Sequence, residues 1–513
     1  MKIQNPKSET QKHALLPFRI KAVVLWALCG LLFSASAVEL RNWRAPYYLI
    51  ASEMGLVSSS PSGFFWDDCG SAPLFDSTLW FSDAKAERSH WFLEPAGSTG
   101  MAVPREPGDR SGFGSGEVLN DIRYRNLLVR QTLHVDTRYD ADSLYPAHPD
   151  RFARGRIEEV YARLEWRYGS VRFGKMLCNW GPFADRSLLL SANPYSYDAL
   201  EWQVHSPLFE FRHLFAAFNP APRPSASDNM AGRYFAAHNL NLMLGRWGSI
   251  GILESMLFRR ESGIPDFQYL NPFSIYTVQN TNQEGNGNLM LGFQGVVRPG
   301  MEKLSLKAQL VLDDIQVDSE LPTDQEPNHW GVDAGVYWRD CLPLPLRHLV
   351  KAGYRSVSEW MYTVPDDNMD NGEGYTYLGK GLGYPENDGD NLWAGFTAIG
   401  KKYWAGTAIV SYGRDGEKTV ASRWRDSEGP DSLRGLPYDY KDATFPSGTV
   451  ERTISFSLEA LVHFRDIIDA RIVIDNRWIK NQGNLRSDGF AYDPLFSAEL
   501  SMHWSGFYKK LPE

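Results

Sequence analysis

From Leu127 to Tyr139 the chain alternates. Leu127, Val129, Leu133, Val135 and Tyr139 share one face, and Asn126, Arg130, Thr132, His134, Asp136 and Arg138 share the other. Period two over a dozen residues predicts a β-strand with two very different faces. The stretch from Val160 to Tyr168 repeats the plan, with Val160, Ala162, Leu164, Trp166 and Tyr168 opposing Tyr161, Arg163, Glu165 and Arg167. A turn expected at Gly169-Ser170 then leads into Val171 and Phe173 against Arg172 and Gly174, a tight hairpin. The same rule holds for Leu304 to Leu312, Trp404 to Tyr412, Ile454 to Ala460 and Ile472 to Trp478.

Two architectures produce such alternation. In a soluble sandwich the apolar face meets a core and the polar face meets water; in an outer-membrane barrel the apolar face meets lipid and the polar face lines the lumen. The barrel is favoured because the polar faces carry full charges of both signs in succession, as in Arg163, Glu165 and Arg167. Aromatics recur near strand ends (Tyr139, Tyr168, Trp247, Trp338, Trp393, Trp478, Trp504), where an interfacial girdle sits. The last strand sets Phe496, Ala498, Leu500, Met502 and Trp504 against Glu499, Ser501 and His503, resembling the terminal strand of bacterial outer-membrane proteins. The expected fold is all-β, a transmembrane antiparallel β-barrel of about 16–18 strands with 18 favoured, preceded by a non-barrel N-terminal segment. Long outer loops are expected at 194–199, 219–231, 262–288, 313–329, 360–391 and 413–449, all rich in Gly, Pro, Asn and Asp. Residues 38–115 alternate poorly and read as a periplasmic segment, a lumen plug or a first hairpin, which leaves 116–513 for the barrel.

Composition changes this picture in two places. Mean hydropathy is that of a soluble protein, so a helical bundle is excluded, since each span needs roughly 20 consecutive apolar residues. One short apolar run, Ala22 to Phe33, follows Lys2, Lys7, Lys12, Arg19 and Lys21 and precedes Ala35-Ser36-Ala37, the plan of a signal peptide covering 1–37. The chain is therefore expected to reach the outer membrane of a Gram-negative-type envelope. The leader's five Lys/Arg and one acid give it +4, so its removal takes the net charge from −9 to −13. An acidic exported chain does not neutralise phosphate, so nucleic acid is excluded as a partner. Cys69, Cys178 and Cys341 are widely spaced and leave either one bridge with a free thiol or three free thiols.

Gly155-Arg156-Ile157-Glu158-Glu159-Val160-Tyr161-Ala162, then Gly174-Lys175, Asn179-Trp180-Gly181-Pro182 and Ser191-Ala192-Asn193-Pro194 resemble, in order and spacing, the capsule-assembly Wzi family of outer-membrane barrels. Weaker echoes follow in Leu270-Asn271-Pro272-Phe273, a strand bearing Gly292, the run from Leu310 to Asp314, and Gly383 to Asn391. The resemblance implies an 18-stranded barrel that binds exported polysaccharide and helps anchor capsule. It assigns no role to the motif residues Gly174, Asn179, Gly181, Pro182, Ser191, Asn193 and Pro194. The family carries a helical N-terminal segment, whereas 38–115 here shows no clear helical periodicity.

Candidate chemistry is sparse. Trp180, after a strand and before a turn, offers an apolar ring face for a sugar, against a packing role in a loop. Arg163, Arg167, Arg172 and Lys175 lie on or beside lumenal faces and could hold the carboxylates of an acidic glycan, against structural pairing with Glu158, Glu159 and Glu165. Two acidic runs resemble Ca²⁺-ligand clusters. The first, 366–372, places Met369 where an EF-hand loop needs oxygen, while the second contributes Asp388 and Asp390 as candidate ligands. Asp313-Asp314 lacks a visible partner base, and His134 and His503 read as lumenal hydrogen-bonding groups. No catalytic motif has a supporting context and no cofactor is implied. The leading expectation is a non-enzymatic barrel that binds or anchors surface polysaccharide, in contact with outer-membrane lipid and with export machinery in the periplasm. A diffusion or saccharide-specific porin and an outer-membrane hydrolase are the alternatives.

Overall fold

The computed structural model describes residues 50, 53–54, 89–103, 111–142, 144–145, 154–183, 186–223, 226–282, 287–301, 303–314, 328–365, 372–400, 404–424, 444–464, 467–504 and 507–510. The leader 1–37, Cys69 and the acidic run 366–371 lie outside them. Eighteen long strands form one closed antiparallel barrel, and a four-residue strand, Phe507–Lys510, carries the last of them on along β1. The long strands of the first half are β1 (Ser89–Val103), β2 (Ser111–Tyr124), β3 (Leu127–Asp136), β4 (Arg154–Trp166), β5 (Gly169–Met176), β6 (Tyr197–His205), β7 (Phe209–Arg223), β8 (Ala226–Met243) and β9 (Gly248–Arg260). The other half comprises β10 (Gly287–Val297), β11 (Leu304–Asp314), β12 (His329–Arg339), β13 (Arg347–Val357), β14 (Gly389–Ile399), β15 (Trp404–Asp415), β16 (Glu451–Phe464), β17 (Ile468–Lys480) and β18 (Phe490–His503). Each pairs with its neighbours in sequence, and β18 closes on β1 from Ala96↔His503 to Val103↔Phe496. Closure leaves no sheet edge in the hydrocarbon layer, where an unpaired peptide group is costly.

Alternation sorts the faces as expected. Along β16, Ile454, Phe456, Leu458, Val462 and Phe464 are exposed on the outside, while Leu461 and His463 are buried within. Exposed Trp166, Tyr168, Trp247, Trp338, Trp404 and Trp504 gather at the rim carrying the short turns, the periplasmic rim in barrels of this type. The long connections lie at the opposite, outer rim.

Several expectations need correction. The barrel begins at Ser89 rather than 116, in line with the first-hairpin alternative for 38–115; β1 escapes the alternation test because Pro95 and Gly97 blur its outer face and Ala96 and Gly100 its inner one. The hairpin turn falls on Arg167-Tyr168, with Trp166 paired to Gly169, so Gly169-Ser170 opens β5. Tyr139 sits in a short 3-10 helix, Thr137–Ala141, buried, and its hydroxyl donates to Glu158 at 2.6 Å. Trp393 points inward to Tyr337, its ring lying over Gly353, where a Cβ would come within 2.5 Å of it. Most of 219–231 is not loop but the continuing β7–β8 hairpin, which absorbs its prolines through register shifts beyond Phe218.

The lumen is packed at two levels. Near the periplasmic rim, Ile50 and Met54 of an N-terminal helical turn join Phe183, Leu349, Ile399 and Leu461 in an apolar cluster. Arg339 donates to the Met54 carbonyl at 3.1 Å, and Lys351 pairs with Glu53 at 2.5 Å. Part of the 38–115 segment is therefore helical and lies inside the barrel. Above it, residues between β5 and β6 and between β13 and β14 fill the centre.

Candidate functional site

Leu188-Leu189-Leu190 is an apolar run in the connection between β5 and β6, and water at the rim would not accept it. The connection turns inward instead, burying Cys178, Trp180, Phe183, all three leucines and Ser191. A buried backbone must find hydrogen-bond partners, and here they come from opposite sides of the barrel. Gln309 of β11 accepts from Leu188 N at 2.7 Å and donates to the Trp180 carbonyl at 3.2 Å. Tyr362 donates to Leu188 O at 2.6 Å and Tyr375 to Leu189 O at 2.9 Å. Ser191 N donates to Leu382 O at 2.7 Å, and Asn193 Nδ2 to Gly381 O at 2.9 Å. The two connections thus meet in a hydrogen-bonded seam across the lumen.

The motif residues build that seam. Asn179 donates to Phe183 O and accepts from Ser187 N, locking the turn that contains Gly181 and Pro182. A Cβ on Gly181 would lie 2.3 Å from Ser187 Oγ, and one on Gly383 would lie 2.2 Å from Leu188 O. Ser191 Oγ donates to Gly383 O and accepts from Asn193 N, and Pro194 is buried. Gly174 has φ +134°, and a Cβ there would meet Val160 O at 2.2 Å. Trp180 is fully buried, so in this arrangement its ring presents no face to a sugar at the outer surface. The tyrosines at 362 and 375 complete the seam; their sequence signals are the apolar run Trp360-Met361-Tyr362 and the pair Tyr375 and Tyr377, both within the expected 360–391 loop.

The basic candidates separate by register. Arg172 lies opposite Glu201 on β6 and is buried against it, Nη2 to Oε2 2.9 Å, with Tyr161 beneath its guanidinium. Its paired carboxylate is thus one across the register on the following strand. Arg163 does pair with Glu165 at 3.3 Å, and Arg123 joins them. Arg167 is exposed on the periplasmic turn over Tyr168, outside the lumen. Lys175 faces Asp198 at 3.4 Å near the surface. Asp313 is buried, accepts from Tyr362 N at 2.8 Å and lies 3.7 Å from His329, which makes it part of the seam.

Asp388 organises the outer rim. Its carboxylate accepts from Ser447 N, Ser447 Oγ and Lys418 N, and its backbone meets Ser358 and Gly416. Asp390 is held by both nitrogens of the Arg414 fork at 2.8 and 2.5 Å. These donors take most of the lone-pair directions of the two carboxylates, so a Ca²⁺ ion would have to compete with the hydrogen bonds that hold the rim. Beside them a cleft opens between Arg355, Tyr384, Glu386, Asn387, Asn391 and Asp415. Arg355 lies 4.1 Å over the Tyr384 ring, and Glu386 is exposed.

Burial, then the neighbouring Asp388, raises the Glu359 carboxyl from its ordinary value to about 7, against opposing effects of Lys418 and Ser447. Because the folded rim prefers protonated Glu359, the stability it contributes is full below the ordinary carboxylate value and is lost as pH rises toward about 7. Glu359→Gln is therefore expected to slow proteolytic nicking of the rim loops at pH about 8 and to change little at pH about 4. Equal protection at both pH values would contradict this.

Together these features define an outer-membrane-type, 18-stranded β-barrel with an internally packed lumen and a structured outer rim. No protein-family model matches the sequence, and no curated protein matches it. Among solved structures, the fold is that of Wzi, an outer-membrane protein involved in group 1 capsule assembly in Escherichia coli and described as a carbohydrate-binding β-barrel. The TM-score is 0.55 at 12% identity, covering 92% of this chain and 99% of Wzi. OccK1 (OpdK) of Pseudomonas aeruginosa aligns with TM-score 0.46 at 13% identity, covering 82% of this chain and 99% of its own. OccD3 (OpdP) of the same organism aligns with TM-score 0.44 at 9% identity, covering 80% and 91%.

Proposed function

We propose that this barrel sits in an outer membrane, reached through cleavage of the 1–37 leader, and there holds an exported surface polysaccharide without chemical turnover. The observation that carries the reading is the seam between the two inward connections, which packs apolar and hydrogen-bonded residues across the lumen. The carbohydrate binding of Wzi, whose fold this chain shares, points the same way. The rim cleft supplies the usual elements of sugar recognition, an aromatic ring with amide and carboxylate groups around it. Polymer would come from export machinery in the periplasm.

Purified barrel is expected to retain the host's own surface polysaccharide in a pull-down. Asn391→Ala should weaken that binding roughly fivefold if it removes a hydrogen bond of about 1 kcal/mol. The measurement against the reading is planar-bilayer conductance. Large, stable, ohmic openings together with no polysaccharide retention would replace it with a porin.

A further inference from the structure

We propose that His463, Asp469 and His503 form a binding site for one divalent transition-metal ion of the Zn²⁺ type at the periplasmic mouth of the lumen. The three come from β16, β17 and β18, and register brings them together. His463 is the direct cross-strand partner of Asp469, which itself opposes Ser501; His503 lies two residues beyond Ser501, on the same inward face. All three are buried. His463 Nδ1 is 2.9 Å from Asp469 Oδ1, and His503 Nε2 is 2.9 Å from Asp469 Oδ2. The two imidazoles stand nearly parallel, 19° apart with centroids at 6.2 Å, on either side of the carboxylate. One donor atom from each residue falls within 4.8 Å of the others.

Two imidazoles and a carboxylate are a donor set that suits Zn²⁺ and its neighbours, with a further position left for water. Ligands about 2.1 Å from a tetrahedral ion stand about 3.4 Å apart, so the two 2.9 Å imidazole–carboxylate separations would widen slightly to receive one, with the two imidazole nitrogens already within 4.8 Å of each other. The backbone supports this placement: His503 N donates to Ile467 O at 3.0 Å, tying the end of β18 to the short turn before β17. Ala96 of β1 lies opposite His503. An ion here would therefore pin the last three strands immediately beside the seam where the barrel closes.

The test uses untagged full-length protein, purified in detergent, stripped with chelator and titrated with Co²⁺ and Zn²⁺. One equivalent of Co²⁺ is expected to give a visible ligand-field absorption that Zn²⁺ displaces. His463→Ala and His503→Ala should each lose affinity by more than the roughly 10–100-fold that loss of an outer-shell partner costs. His134→Gln, on the lumenal face of β3, should bind as the parent does. Folding of each variant is checked by retained heat-modifiability on a gel. Absence of stoichiometric binding by folded parent protein, or undiminished binding by both folded alanine variants, would overturn the site.

Discussion

Trp180→Ala is expected to destabilise the folded barrel by about 3–5 kcal/mol, read as a fall in the urea midpoint in detergent. Trp180 is among the largest fully buried side chains and sits in the apolar cluster with Leu188, Leu189, Leu190, Tyr362 and Tyr375. Truncation there removes buried area and leaves a cavity that the strand walls cannot collapse to fill. The indole N–H is buried with no acceptor among the described residues, so Trp180→Phe gives up no hydrogen bond and should cost much less. Polysaccharide retention is expected to follow stability through this pair, falling with alanine and recovering with phenylalanine. Retention lost in a stable Trp180→Phe barrel would instead return the ring to direct sugar contact.

Arg172→Ala should cost a similar amount, about 3–5 kcal/mol, because it leaves the buried Glu201 carboxylate short of its partner. Arg212 Nη1 is 4.0 Å from the other Glu201 oxygen but is committed through Nε to Glu210 at 2.6 Å. Removing both charges, as Arg172→Met with Glu201→Gln, is expected to recover most of the loss. Lys175→Ala, whose pair with Asp198 is solvent-exposed, should stay within about 1 kcal/mol. Equal losses for Arg172→Ala and Lys175→Ala in urea unfolding would contradict the burial argument.

The contrast between these two cations marks what the sequence made legible. Period-two alternation identified the barrel, because lipid and lumen impose opposite chemistry on successive residues of Leu127 to Val135 or Ile454 to Leu458. It does not report which strand lies opposite which, so alternation offers Arg172 the acids nearest in sequence, whereas Glu201 stands across from it. It also failed where an inward side chain is as apolar as an outward one. Trp393 faces a packed lumen, and Leu188 to Leu190 form part of that packing, so neither obeys the rule that polar means inside. The motif around Trp180 was visible as residues; its meaning depended on partners such as Gln309, Tyr362 and Gly383 that lie far along the chain.

The seam between the inward connections joins Ser191 to Gly383, 192 residues apart, and the wall around it is completed only when β18 meets β1. That arrangement constrains the order of assembly. Until the final strand has left the translocation machinery, β1 is paired only on its β2 side, and its other edge along 96–103 remains an open template for strand pairing. The central packing must already be inside, or find its way in from the outer rim, by the time the wall closes. Chains shortened before Phe490 should therefore accumulate as periplasmic aggregates or protease fragments and leave no smaller barrel behind.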